Sequence, residues 1–209
     1  MQLPVTGGGN YQQAPAGTHS ARCIKLIDLG TQKNEYQGDV SFKRQLIVSW
    51  ELPNELMTGE HEGKPFVVSK FYTYSMNEKA TFRKDLQNWL GKQFTDEEAA
   101  VYNVNSILNQ AFMLGVVLTE KGKAKVASVM GLPKGMVVPE AVNPIVFFSL
   151  DEFTEESYNA LTDGLKAMIA NSPEYKDMNK LMMDCGSKQP LPDGRELPPD
   201  NFEDGDIPF

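Results

Sequence analysis

Positively charged and aromatic side chains alternate between residues 69 and 84, in the stretch SKFYTYSMNEKATFRK. Lys70, Tyr72 and Tyr74 share one face of a β-strand, and the ring at position 71 points to the other. Exposed rings flanked by cations suit single-stranded nucleic acid, because each stacked base contributes about 1 to 3 kcal/mol and the cations follow the phosphates. Taken singly, these residues fit half-buried sheet aromatics or solvated helix charges slightly better, and the binding interpretation rests on their combination with the order of the elements. We predict a binding surface that also includes Lys43, Gln45, Lys79, Arg83 and Lys84.

A second group of lysines lies near a predicted turn, in TEKGKAKVASVMGLPKGM. The group comprises Lys121, Lys123, Lys125 and Lys134. Lysines at a hairpin turn often keep an exposed sheet edge soluble. In barrels that bind oligonucleotides, the loop between the last two strands also contacts the ligand. Both interpretations stay open, and we include the four lysines among the candidate DNA contacts.

The sequence contains none of the common catalytic motifs: no GxxxxGK[ST] phosphate loop, no GxGxxG, no HExxH and no GxSxG. Its two cysteines, Cys23 and Cys185, are far apart and predict neither a zinc site nor a disulfide framework. We therefore expect no cofactor, no metal and no enzymatic activity. A weaker alternative is a nuclease in which Asp28, Glu51 and Glu120 meet at a metal ion.

The elements that would position these residues follow a recognisable order. Three strand-like segments occupy much of residues 19–76. A helix follows, with Asn77 as its predicted cap and Gly91 as its end. Two strands around the turn at 120–123, a later strand and a helix that begins after Thr154 complete the series.

This order matches the five-stranded oligonucleotide/oligosaccharide-binding (OB) barrel, which has a helix between its third and fourth strands. We therefore predict a mostly β, α+β fold. It would be an OB-like five-stranded barrel with an inserted helix and a C-terminal helix, followed by a disordered acidic tail.

The net charge of −8 is concentrated towards the C-terminus. Residues 1–150 carry 15 Lys and Arg against 14 Asp and Glu, whereas residues 184–209 carry 2 against 7. A basic surface on the first part is therefore compatible with the overall acidity. Composition predicts a flexible arm at 1–17, an OB-like nucleic-acid-binding domain at 18–183 and the disordered tail at 184–209.

The sequence also argues against a membrane protein. No apolar run reaches the roughly 20 residues that span a bilayer. The N-terminus lacks a basic region followed by an apolar one. We expect a cytosolic protein with no membrane partner.

The last residues of the sequence are NFEDGDIPF. The acidic residues would attract a basic groove over a distance, and Pro208 restricts the chain before it binds. Ile207 and Phe209 provide two apolar anchors, and the terminal carboxylate provides a fixed charge. The pattern is typical of a docking peptide for other proteins.

This segment resembles the acidic tip of bacterial single-stranded DNA-binding proteins, which finishes in a run of aspartates followed by Ile-Pro-Phe. The matching residues are Asp204, Asp206, Ile207, Pro208 and Phe209, while Gly205 interrupts the acidic run. In that family the tip recruits replication, recombination and repair enzymes to coated DNA. The resemblance implies that the matching residues bind such enzymes, with Phe209 as the main anchor.

The body of the chain resembles a family of bacteriophage proteins associated with replication and with single-strand binding. The similar segments are GTHSARCIKLIDLGTQ, SWELPNELM, YTYSMNEKATFRKDLQNWLGKQFTDEE and NPIVFFSLDEF. The resemblance implies a location in the cytoplasm of an infected bacterial host. It carries over no binding residues, so the DNA-binding candidates rest on the sequence pattern alone.

These observations predict a sequence-tolerant single-stranded DNA-binding protein of phage DNA replication, recombination or repair. Its C-terminal tip would recruit partner enzymes, and a homo-oligomer is one possible state. The alternative is a protein-interaction decoy. In that case the tip occupies the pocket of a host DNA-processing enzyme while the body binds no DNA.

Overall fold

A computed structural model describes residues 12–36 and 38–186; of Tyr36 and of residues 182–186 it describes the backbone alone. The start of the predicted arm and most of the predicted acidic tail lie outside these residues. The predicted partner-binding residues also lie outside them: Asp204, Asp206, Ile207, Pro208 and Phe209.

The described chain forms six strands and five α-helices. The strands are β1 (Gly17–Tyr36), β2 (Asp39–Leu56), β3 (Pro65–Thr73), β4 (Ala111–Leu118), β5 (Ala124–Met130) and β6 (Val146–Phe148). The helices are α1 (Thr81–Leu90), α2 (Asp96–Val101), α3 (Glu155–Asn159), α4 (Asp163–Asn171) and α5 (Pro173–Gly186). Among the described residues, none of the helices combines the length and the apolar composition that spanning a bilayer requires.

β1 is the central strand of an antiparallel sheet with the order β3-β2-β1-β4-β5. β2 pairs with β1 from Arg22 to Tyr36, and β4 pairs with β1 from Gly17 to Arg22. Beyond Ala111, the first residue of β4, the short strand β6 pairs with residues 25–27 of β1 in parallel. One edge of β1 therefore changes partner from β4 to β6. The predicted mostly β, α+β class is confirmed.

The inner face of the sheet carries the larger hydrophobic core. Side chains alternate between two faces along a strand, and full burial of a large apolar side chain contributes about 1.5 to 3 kcal/mol. α1 packs against both β3 and β5 and covers this core. Core members from β2, β3 and α1 include Leu46, Val48, Trp50, Val68, Tyr72, Phe82, Leu86 and Trp89. Cys23 also lies here, and burial raises the pKa of its thiol to about 12.

The outer face of β1 and β2 is covered in part by the C-terminal helices. Ile27, Leu29 and Ile47 on this face form a second core with apolar residues of the 146–178 region. The carboxylate of Glu174 on α5 accepts hydrogen bonds from the backbone N–H of Thr31 at 2.9 Å and from its hydroxyl at 2.6 Å. These bonds fix α5 beside β1.

The connection between β5 and β6 is held over the outer face by two buried charged residues, Arg22 and Glu51, which are opposite each other in the β1–β2 register. The Arg22 guanidinium donates to the carbonyl oxygen of Val138 at 2.8 Å. The Glu51 carboxylate accepts from the backbone N–H groups of Val142 and Asn143, both at 2.8 Å. Buried charges with such complete pairing fix the position of the loop.

Two helix boundaries differ from the prediction. α1 begins at Thr81, because the side chain of Asn77 accepts a backbone N–H two residues later and closes a separate turn. Gly91 ends α1 in the left-handed conformation, with φ of 62°, as predicted. The helix expected after Thr154 is divided into α3 and α4, because the backbone is extended at Thr162.

Residues 12–16 belong to the predicted flexible arm, but Gln12, Gln13 and Ala14 contact the folded domain. The side-chain oxygen of Gln12 accepts from the backbone N–H of Thr58 at 3.0 Å. The side-chain oxygen of Gln13 accepts from Ala124 N–H at 2.9 Å, and Ala14 is buried. The described fold therefore starts ahead of the predicted boundary at residue 18.

Candidate nucleic-acid interface

Tyr72 lies in the hydrophobic core, which corrects its predicted place on an open sheet face. It is 4% exposed, and its ring packs edge-on against Trp50 and Phe82. Its hydroxyl donates to Asp85 of α1 at 2.8 Å, and burial raises its pKa. β3 places Tyr72 in the same row as the core residue Val68. A ring enclosed in this way is not available for stacking on a base.

Lys70 shares the inner face with Tyr72 and is already paired within the protein. Its Nζ lies 2.6 Å from the carboxylate of Asp85 and 4.9 Å from the centroid of the Tyr72 ring. The Lys70 side chain is 20% exposed. The ion pair links β3 to α1, so Lys70 would follow a phosphate only by giving up this link.

Arg83 links α1 to the segments before and after it. The prediction placed its side chain on an exposed binding surface, but the structure buries it. It is 4% exposed. Its guanidinium donates to the carbonyl oxygens of Phe94 at 2.6 Å and Met76 at 3.1 Å, and to the carboxylate of Asp96 at 2.7 Å. Its two terminal nitrogens donate inside the fold, while its buried Nε has no hydrogen-bond partner among the described residues. Because the guanidinium is buried, Arg83 presents no charge to a ligand on the surface.

Lys79 and Lys84 lie on either side of Arg83 and are exposed, as predicted. Each lines a shallow cleft that also contains Glu78 and Asp96. Because these carboxylates line the same clefts as the lysines, they offset the attraction of the lysines for phosphate. The two lysines stay candidates, in surroundings of mixed charge.

Lys43 and Gln45 lie on the outer face of β2, and the β3 residues on that face are not the predicted ones. The register pairs Gln45 with Thr73 and Ile47 with Phe71. Phe71 is 52% exposed, so it presents an aromatic ring to solvent on this face. Lys43 is also exposed and lies four residues before Ile47 on β2. At roughly 3.3 Å per residue, this places it about 13 Å along the sheet from Phe71. Cation, amide and ring therefore share one surface.

Sequence reasoning missed Phe71, although the sequence contained a signal for it. Phe66, Val68 and Tyr72 are separated by even numbers of residues, so they form one apolar row of β3. This row places Tyr72 with the core and leaves Phe71 on the opposite face. Cations beside the row favour an open surface in the sequence, but in the structure Lys70 is paired with Asp85 of α1.

Tyr74 follows β3 on the inner side of the sheet, at the end next to the β1–β2 turn. It is 40% exposed, and the guanidinium carbon of Arg44 lies 4.6 Å from its ring centroid. Arg44 also donates to the carboxylate of Asp28 at 3.1 Å and lies 2.9 Å from that of Asp151. Burial raises the pKa of Tyr74. Tyr74 stays a candidate, on a different face from Phe71.

The predicted lysines near the second turn lie far from Lys43. Gly122, with φ of 71°, allows the tight β4–β5 turn, which lies beyond Gly17 at the start of β1. Lys43 pairs instead with Gln32, near the other end of β1. The structure therefore does not bring the two groups together. All four lysines of the second group are exposed: Lys121, Lys123, Lys125 and Lys134.

The acids of the nuclease hypothesis do not converge. Asp28 lies on the inner face, where its carboxylate accepts from Arg44 and from the backbone of Gly30 at 3.0 Å. Glu51 lies on the outer face, and Glu120 lies at the β4–β5 turn. Within residues 12–36 and 38–186, no group of three or more His, Cys, Asp and Glu side chains is placed to hold a metal ion.

The exposed residues that the structure does bring together on this face are Lys43, Thr73 and the unpredicted Phe71. Gln45 lies on the same face but is half-buried, and its side-chain amide donates to Asn34 Oδ1 at 2.8 Å. Comparisons of the chain with protein-family models, with curated proteins and with solved structures found no match.

Proposed function

We propose that this chain is a sequence-tolerant single-stranded DNA-binding protein of phage DNA replication or recombination, and that the strand crosses the outer face of β2 and β3. The exposed ring of Phe71, on the same face as Lys43 and Gln45, carries the proposal. A ring and a cation on an open sheet are the two groups that sequence-tolerant binding needs, one for the bases and one for the phosphates.

The arrangement of the elements supports an OB-like barrel as the framework of this site. In that fold, a helix follows the third strand, and the surface of strands two and three binds oligonucleotides. Here α1 follows β3, packs against both β3 and β5, and so bridges the two edge strands of the sheet. The proposed path then lies on the surface that OB folds use.

Titration of the full chain with a fluorescent oligo-dT at two salt concentrations tests the proposal. Each phosphate contact gives log K a slope of about −0.7 against log salt for a single strand. With two to four contacts, a fourfold rise in salt should weaken binding about 7- to 50-fold. Absence of binding, or binding indifferent to salt, would contradict the proposal, and absence of binding would favour the decoy hypothesis.

We also propose that the tip residues recruit partner enzymes, on the strength of their sequence alone. A chain that ends at Glu203 lacks the tip and provides the second arm of the titration. It should bind oligo-dT at least as tightly as the full chain, because an acidic segment has been removed. It should no longer capture DNA-processing enzymes from a host lysate on immobilised DNA. Loss of DNA binding instead would contradict this division of roles.

A further inference from the structure

Two adjoining cavities of about 180 and 260 Å³ lie at the end of the inner face next to the β1–β2 turn. Leu46, Tyr74, Tyr102 and Val104 line both of them. Because they share these walls, they form one cleft with two chambers. Each chamber is several times larger than the roughly 30 Å³ that a water molecule takes up.

The two tyrosine rings of the cleft are held in place by neighbours. Arg44 lies over the Tyr74 ring and is itself tied to two carboxylates, while the backbone N–H of Tyr74 donates to the Arg44 carbonyl oxygen at 2.8 Å. Tyr102 is half-buried, with its ring centroid 4.9 Å from that of Phe94 and its hydroxyl oxygen 2.9 Å from Ser106 Oγ. Rings fixed in this way lose little conformational freedom when a planar ligand binds.

The charge of the cleft favours hydrogen-bond donors and disfavours phosphate. Asp28, Asp151 and Glu152 line the chamber near β6. Arg44 pairs with the two aspartates. Glu152 is exposed and has no hydrogen-bond or ion-pair partner among the described residues. A phosphate would meet like charge here, whereas an amino group would meet a free acceptor.

Among nucleobases, this chemistry distinguishes those with an exocyclic amino group from thymine. Cytosine presents N4–H₂ and adenine N6–H₂ as donors, and a carboxylate accepts well from such groups. Thymine presents the O4 acceptor in place of the cytosine amino group and carries a methyl group on the neighbouring carbon C5. Tyrosine rings stack on any base, so they add affinity without this discrimination.

We propose that this cleft takes one amino-bearing nucleobase from a bound strand, stacked on Tyr102 and donating to Glu152. This inference rests on the proposed function. Thr73 lies on the outer face that carries the strand, and the next residue, Tyr74, lines the cleft. A base bound on the outer face at the end of β3 therefore reaches the cleft by passing around the edge of this strand. The protein then tolerates most sequences and prefers cytosine or adenine at one position.

Titrations with oligo-dC and oligo-dT of equal length, at pH 8, test the inference. Wild-type protein should bind oligo-dC at least about fivefold more tightly. Glu152→Ala should remove this preference, and its matched control Glu156→Ala, another exposed acid nearby, should keep it. Tyr102→Leu should weaken oligo-dC binding about tenfold, while Tyr175→Leu, a half-buried tyrosine on α5, should not.

The outcomes separate this inference from the proposed function. Equal affinities for the two oligomers, unchanged by Glu152→Ala, would overturn the inference and leave single-strand binding intact. If neither oligomer binds, the proposed function fails. Free cytidine is then titrated into the protein while the tyrosine ring resonances are followed by NMR. Shifts confined to Tyr74 and Tyr102 would then support the cleft chemistry with a free nucleoside as the source of the base. No shift would overturn the inference.

Discussion

Replacing Phe71 with alanine is expected to weaken oligo-dT binding about tenfold, within the range of 5- to 150-fold that corresponds to losing one stacked base. The ring is 52% exposed on the outer face of β3 and so contributes little to the core. The free energy of unfolding should therefore change by less than about 0.5 kcal/mol. Equilibrium titration gives the affinity, and urea unfolding of the same variant gives the stability.

Phe42 provides the matched control for this prediction. It is 68% exposed on β2, so it offers the same kind of ring to solvent. It lies an odd number of residues from Lys43 and Gln45, and therefore on the opposite face of the strand. Phe42→Ala should change the affinity less than twofold. An equal or larger loss for Phe42→Ala would place the strand on the other face of the β1–β2 ribbon.

Glu51→Ala is expected to lower the free energy of unfolding by about 3 to 5 kcal/mol, the cost of breaking a buried charge network. Glu51 is 0% exposed, and its carboxylate accepts from two backbone N–H groups and from the side-chain amide of Asn143 at 2.7 Å. Its removal leaves these donors without a partner and frees the connection between β5 and β6. The melting temperature should fall by about 10 °C.

Glu55→Ala tests whether the loss of stability in Glu51→Ala arises because the Glu51 carboxylate is buried. Glu55 is on the same strand, but its side chain is 36% exposed and pairs with His19 at 3.0 Å. The His19 side chain is 10% exposed, so the pair is only partly open to solvent. Loss of this single contact should still cost less than loss of the fully buried Glu51 carboxylate, which accepts three hydrogen bonds. The two variants are compared by the urea concentration at the midpoint of unfolding, provided that the slope of free energy against urea (the m-value) is unchanged. Similar midpoints for both would show that the Glu51 contacts do not hold the fold together.

The order of the elements was predictable because it depends on local signals. Period-two alternation predicted the strands, Gly91 predicted the end of α1, and Gly122 predicted the β4–β5 turn. The cover formed by the C-terminal helices was not predictable in the same way. It depends on Ile27 and Ile47 facing residues more than a hundred positions later in the chain.

The faces of the site residues were harder to predict than the strands that carry them. On β1, the register shifts between Asp28 and Gly30, so the alternation of faces changes there. Gly30 permits this shift, with φ of 68°, and the close approach of Ser172 leaves no space for a side chain. The sequence pattern alone predicts neither the register shift at Gly30 nor the approach of Ser172.

The roles of the cations depended on partners that sequence spacing does not reveal. Lys70 and Arg83 belong to the predicted basic surface, yet each meets a carboxylate from a different element, Asp85 and Asp96 respectively. A positive residue in a sequence is a candidate for phosphate until its partners are known. Lys43 keeps that candidacy, because it is exposed on the outer face.

A single strand that crosses the outer face of β2 and β3, as we propose, must pass the exposed ring of Phe71. Photo-crosslinking with an oligonucleotide that contains 5-iodouracil tests this path most directly, because the photoactivated base joins to an aromatic ring on which it stacks. After digestion and mass spectrometry, the crosslink should map to Phe71. Crosslinks confined to the β4–β5 turn or to Phe42, with Phe71 unmodified, would contradict the claim.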